Sequence, residues 1–92
     1  MADTRKPLLG QVVLITGAGS GIGAAGALEL QRRGATVVLL DCDGDTLAAT
    51  AATLGGDVFT VQVDVTSLPQ CEAAVAATLA RHGRIDVVWA NA

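Results

Sequence analysis

The sequence predicts an open α/β sheet whose strands all run parallel, and three observations carry that expectation. Four short runs rich in apolar and β-branched residues recur along the 92 residues, at positions 12–15, 36–40, 58–63 and 85–90. Each is separated from the next by a stretch long enough for a helix, and start and stop signals bracket those stretches. Strand and helix in alternation imply a parallel sheet with right-handed crossovers and helices on both faces.

Residues 1–10 carry Arg5, Lys6 and Pro7 without periodicity and read as a lead-in, so structure is expected from Gln11 onward. The run at 12–15 is continuous, β-branched and followed by glycines, the pattern of a strand covered on both faces. The helix expected over 22–33 places Ile22, Ala25, Leu28 and Leu30 near one face. Arg32 and Arg33 stand at its end, where cations suit the dipole, and Gly34 stops it. The second helix, over 44–54, has Asp43 as N-cap and Gly55-Gly56 as terminator. Ser67-Leu68-Pro69-Gln70 fits a capping box with proline in the first turn, and helix formers continue from Ala73 to His82, before Gly83. Doubly wound, the four strands take the order 3-2-1-4, one half-domain over residues 11–92, and the sheet is incomplete because strand four lies at an edge. Val87, Val88 and Trp89 carry no charge, proline or bulge to discourage edge pairing, so the isolated chain is expected to self-associate there.

Composition narrows the function classes. With 51% hydrophobic and 16% charged residues, the chain is apolar for a small free-standing domain. A chain of this length buries only about 60–65% of its unfolded surface, and the mismatch reads as part of something larger. No apolar run approaches the roughly 18 residues of a membrane span, and no secretory signal opens the chain, so a cytoplasmic protein with no membrane partner is expected. Net charge is −3 and the six basic residues are scattered, leaving no electrostatic footprint for nucleic acid. Cys42 and Cys71 lack C-x-x-C spacing and His82 is the single histidine, so no metal site is expected.

Between the first strand and the first helix lies Thr16-Gly17-Ala18-Gly19-Ser20-Gly21-Ile22-Gly23. Glycines there permit tight turns with positive φ. They also let backbone N–H groups approach a diphosphate at the helix N-terminus, where side chains would hold it off. A plain connecting turn is the competing reading; placement after a strand and before a helix favours phosphate binding. A Walker loop is excluded because no lysine follows any of these glycines. A Rossmann-like methyltransferase stays open, although Ile15 stands where that family usually carries an acid.

Asp41 ends the second strand about 20 residues beyond the loop, where the dinucleotide fingerprint places an acid on the adenosine ribose. NAD is therefore expected in preference to NADP. A 2′-phosphate would face a carboxylate, at a cost of about 1 kcal/mol at 4 Å even in water, and Asp41-Cys42-Asp43 offers it no cation. The competing reading makes Asp41 the start of a turn.

Thr16-Gly17-x-x-x-Gly21-x-Gly23 resembles the T-G-x-x-x-G-x-G signature of the short-chain dehydrogenase/reductase family, and the resemblance runs from Leu9 to the end of the chain. It implies a Rossmann-type fold and an NAD-dependent oxidoreductase that passes hydride between NAD(H) and a small alcohol or carbonyl substrate. It implies phosphate-loop roles for Gly17, Ser20, Gly21, Ile22 and Gly23 and adenine contact for Asp64 and Val65. Asn91 and Ala92 are similar to the start of the family's N-A-G motif, which implies a place beside the cofactor ribose for Asn91. The glycine completing that motif is absent, and Ala90 replaces the usual preceding asparagine. Trp89 reads as core packing, Ser67 as a cap and Cys71 as a structural thiol.

The family's catalytic serine and Tyr-x-x-x-Lys pair lie further along in its members. This chain has no tyrosine, and its one lysine is Lys6 in the lead-in. No catalytic residue is assigned, and the expectation is a cofactor-binding front half that is inactive alone. A non-catalytic nucleotide-binding module is the other reading.

Overall fold

The computed structural model describes residues 6–19, 21–55 and 58–92. Residues 1–5 of the lead-in, Ser20 of the glycine loop and Gly56 of the helix terminator lie outside these.

Val12, Val13, Leu14 and Ile15 are all buried, and a strand buried on alternate and intervening positions must be covered on both sides. It becomes β1 (Val12–Thr16), flanked by β2 (Thr36–Asp41) and β4 (Val87–Ala90), with β3 (Phe59–Gln62) beyond β2. All pairings are parallel, with Val13 opposite both Val37 and Val87, and Val38 opposite Phe59. The crossovers are α1 (Gly21–Arg32), α2 (Gly44–Leu54) and α3 (Leu68–His82). Strand alternation divides the sheet side chains between two cores. Val13, Ile15, Val37 and Leu39 pack with Ala27 of α1 and Leu47 of α2. Val12, Leu14, Val38 and Leu40 pack with Ala74 and Cys71 of α3. The order β3-β2-β1-β4 with helices on both faces is the doubly wound arrangement expected from the sequence.

Two strands are shorter than their apolar runs. Val58 and Val63 flank β3 but still pack into the cores. β4 begins at Val87 rather than at residue 85, yet Asp86 continues the contact with β1. Its N–H donates to the Val12 carbonyl at 2.9 Å, and its carboxylate accepts the Val12 N–H at 2.7 Å. The lead-in packs more than expected: the Leu8 N–H donates to the Arg33 carbonyl at 2.9 Å, and its side chain lies against the first core.

The face of α1 needs correction. Ile22 is 74% exposed and Ala25 is also exposed, whereas Gly23 and Ala27 are buried and Leu30 packs beneath them. The buried stripe is offset by about one residue from the expected one, because small residues let the helix backbone close on the sheet where larger ones would hold it away. The expected capping box of α3 is half formed. The Ser67 hydroxyl accepts the Gln70 N–H at 3.4 Å, but the Gln70 side-chain oxygen accepts from the Asp64 N–H at 2.8 Å instead of from Ser67. Asp43 caps α2 as read, accepting from the N–H groups of Asp45 and Thr46.

Trp89 packs against the first core and rests on Gly26, where a Cβ would run into the indole ring. It also lines an apolar groove of about 430 Å³ together with Leu8, Val13, Leu30 and Val87. Among the described residues no strand pairs with the outer edge of β4, and Val87 and Val88 are exposed. Among the described residues no helix is long and apolar enough to cross a membrane.

Candidate functional site

Parallel strands deliver all their C-terminal ends to one edge of the sheet, the place where open α/β folds bind ligands. At this edge the β1–α1 loop, Asp41, Asp64-Val65 and Asn91-Ala92 meet. The loop turns through positive φ at Gly17 (65°) and Gly21 (61°), conformations that are costly for side chains with a Cβ.

Three hydrogen bonds tie the loop to β2 and α2. The Ala18 N–H donates to the Leu40 carbonyl at 3.0 Å. The Gly19 N–H donates to Asp41 Oδ2 at 2.8 Å, and the Gly19 carbonyl accepts from the buried Thr50 hydroxyl of α2 at 2.8 Å. A Cβ at Gly19 would overlap both Thr46 Oγ1 and Asp41 Oδ2, and one at Gly23 would strike the Gly17 carbonyl oxygen. Beside Gly21, by contrast, a Cβ would meet nothing within 4 Å. The loop is thus packed tightly below and open above, at the mouth of a helix whose first N–H groups have no intrahelical acceptor. That is the cradle a diphosphate requires.

The other side of the loop is held by the end of β4. The Thr16 hydroxyl accepts the N–H groups of Asn91 (3.0 Å) and Ala92 (3.2 Å), and Asn91 Nδ2 donates to the Gly17 carbonyl at 3.3 Å.

Two carboxylates complete the edge. Partial burial pushes the Asp41 carboxyl up, but N–H donation from Asp43 and Gly19, with further help from Cys42, outweighs it and holds the group below the ordinary carboxylate value. Asp41 Oδ2 accepts the Gly19 N–H at 2.8 Å, and Oδ1 accepts the Asp43 N–H at 3.1 Å. Asp64 is likewise held down, by the Thr66 hydroxyl at 2.7 Å and the Thr66 N–H at 2.9 Å, both on Oδ1. Between the carboxylates lies a pocket of about 90 Å³ lined by Gly17, Asp41, Cys42, Val63, Asp64, Val65 and Ala92, with no lysine or arginine among them.

The structure therefore brings together Gly17, Asp41, Asp64 and Val65 at one pocket, with Asn91 bonded to its Gly17 wall. Gly21, Ile22 and Gly23 stand apart from that pocket, at the N-terminus of α1. Ser20 lies outside the described residues. Sequence reasoning missed Cys42 as a pocket wall and Thr50 as the partner of Gly19. The available signal for Thr50 was its spacing from Leu47, since i and i+3 share one buried helix face.

A model of the short chain dehydrogenase family matches residues 11–92. The chain belongs to that family. It is 44% identical over 92 residues to momilactone A synthase of Oryza sativa subsp. japonica, covering 99% of this chain and 33% of that protein. Of solved structures, the 3-ketoacyl-(acyl-carrier-protein) reductase of Brucella melitensis complexed with NADH superposes with a TM-score of 0.84 at 37% identity, over 88% of this chain and 34% of the other. NAD+-bound xylitol dehydrogenase superposes with a TM-score of 0.86 at 34% identity, over 90% and 33%. The chain spans about a third of the relatives it matches. Membership of this family sets aside the methyltransferase alternative.

Proposed function

We propose that this chain binds NAD(H) as the cofactor part of a short-chain dehydrogenase/reductase that moves hydride between the nicotinamide and an alcohol or carbonyl compound. The observation that carries the reading is the Asp41 carboxylate. It is held below its ordinary carboxyl value, is bonded to the glycine loop, and faces Asp64 across a pocket lined by no lysine or arginine. Two fold neighbours described as holding NADH and NAD+ support it.

When bound, the dinucleotide supplies the hydride chemistry; the protein supplies binding and orientation. The N-terminal amides of α1, from Gly21 to Gly23, with Ser20 before them, receive the diphosphate. Asp41 accepts from the adenosine ribose hydroxyls and repels a 2′-phosphate, Asp64 and Val65 border the adenine, and Asn91 holds Gly17 beside the ribose. The groups that handle the substrate proton are not among these residues, which include no tyrosine.

Titration of NADH and NADPH against Asp41→Ala tests the assignment. Loss of charge-assisted bonds should weaken NADH by about ten-fold or more, while NADPH holds or improves. An unchanged ratio of the two affinities refutes the ribose contact. Because the Asp41 carboxyl lies below its ordinary value, NADH affinity should hold down to the carboxylate range, about pH 4, and fall only beneath it.

A further inference from the structure

Gly19 is gripped at both ends, by the end of β2 and by α2. Its N–H meets Asp41 Oδ2 and its carbonyl meets Thr50 Oγ1, each at 2.8 Å. Thr50 is 5% exposed and sits on the inner face of α2, 31 residues away in sequence. A buried carbonyl without a partner is costly, so this hydroxyl fixes where the loop runs. Thr46, one turn earlier, closes the remaining space, since a Cβ at Gly19 would overlap its hydroxyl.

We propose that Thr50 is a positioning residue for the cofactor loop. By pinning the Gly19 carbonyl it seats the Gly19 N–H on Asp41, and so sets the ribose-binding carboxylate and the diphosphate-binding turn in register before a dinucleotide arrives. A pin of this kind acts by preorganisation: without it, binding must also order the loop. Thr50 touches no cofactor itself. The proposal rests on the nicotinamide reading above.

The test is NADH titration by calorimetry on the full chain, its Thr50→Val variant, which keeps the side-chain shape and loses the hydroxyl, and its Thr50→Ser variant, which restores the hydroxyl. The expected result is about ten-fold weaker binding for Thr50→Val and affinity within about twofold of the parent for Thr50→Ser, the effect of one buried hydrogen bond. A purely structural role would lower the melting temperature of Thr50→Val and leave its NADH affinity, measured well below that temperature, unchanged. That result, or equal losses for Ser and Val, overturns the pin alone. Failure of the unaltered chain to bind NADH overturns the nicotinamide reading and the pin with it. If Thr50→Val does not fold, Thr50→Ala takes its place: about ten-fold weaker NADH binding than the parent supports the pin, and affinity equal to the parent's overturns it.

Discussion

Gly23→Ala is the most informative single methyl that can be added to this protein. In an ordinary helix the change stabilises by about 1 kcal/mol, because alanine loses less backbone entropy than glycine. Here the new Cβ would strike the Gly17 carbonyl oxygen and come within 2.8 Å of Asn91 Nδ2. The carbonyl belongs to the backbone and cannot swing aside as a flexible side chain would, and the Asn91 amide, which can, is hydrogen-bonded to it at 3.3 Å. Overpacking of this kind costs about 1–3 kcal/mol, and displacement of Asn91 forfeits a hydrogen bond of about 1 kcal/mol. The propensity gain offsets only part of this, leaving a net loss of roughly 1–3 kcal/mol. For a domain of this size that is a drop of roughly 5–20 °C in melting temperature. Calorimetry or circular dichroism reads the shift, with Ala25→Gly at an exposed position of the same helix as a control that should lose about 1 kcal/mol through propensity alone. NADH titration of Gly23→Ala should show weakened binding as well, since the loop that moves is the proposed diphosphate cradle. A Gly23→Ala protein that melts at or above the parent temperature refutes the close-approach reasoning.

Two further outcomes follow from the edges of the sheet. The Arg84 guanidinium, 2.6 Å away, and then the Val12 N–H hold the Asp86 carboxyl below its ordinary value. A depressed folded pKa stabilises above the unfolded value, about 3.9, and that contribution is lost as pH falls through the lower folded one. Asp86→Asn should therefore shift the urea midpoint downward at pH 7, and the gap from the parent should shrink under acid conditions; an equal gap at both pH values contradicts the assignment. Val88, 58% exposed on β4, whose outer edge pairs with no strand among the described residues, is proposed to mediate self-association of the 92-residue chain. Light scattering should report smaller assemblies for Val88→Lys, and a parent chain that is already a monodisperse monomer dismisses the idea.

Much of this architecture was legible because local signals agreed with tertiary demands. α2 runs from Gly44 to Leu54 as read, since Asp43 caps it and Gly55 follows it. Asp41 and Asp64 were visible as acids placed just past apolar runs, where strand ends must lie. The face of α1 was misread for a physical reason: hydropathy weights Ile22 and Leu28, whereas the packing rests on the small size of Gly23 and Ala27. Gln70 was read as half of a box, yet a glutamine can reach more than one donor, and Asp64 N–H lay within range. Thr50 left a single trace, its i+3 spacing from Leu47 on the buried face of α2, and its partner becomes visible only when the fold brings Gly19 over it. Asp86 was hidden similarly; its partner Val12 is 74 residues away, and only the parallel register reveals the pair.

Trp89 is the single tryptophan of the chain, and its indole stands in the apolar groove between α1 and β4. The protein therefore carries one native fluorophore, located away from the proposed nucleotide pocket. Its emission wavelength and its susceptibility to iodide report directly whether water or other polypeptide fills that hollow. Coverage of the sheet flank can thus be followed optically, without a label.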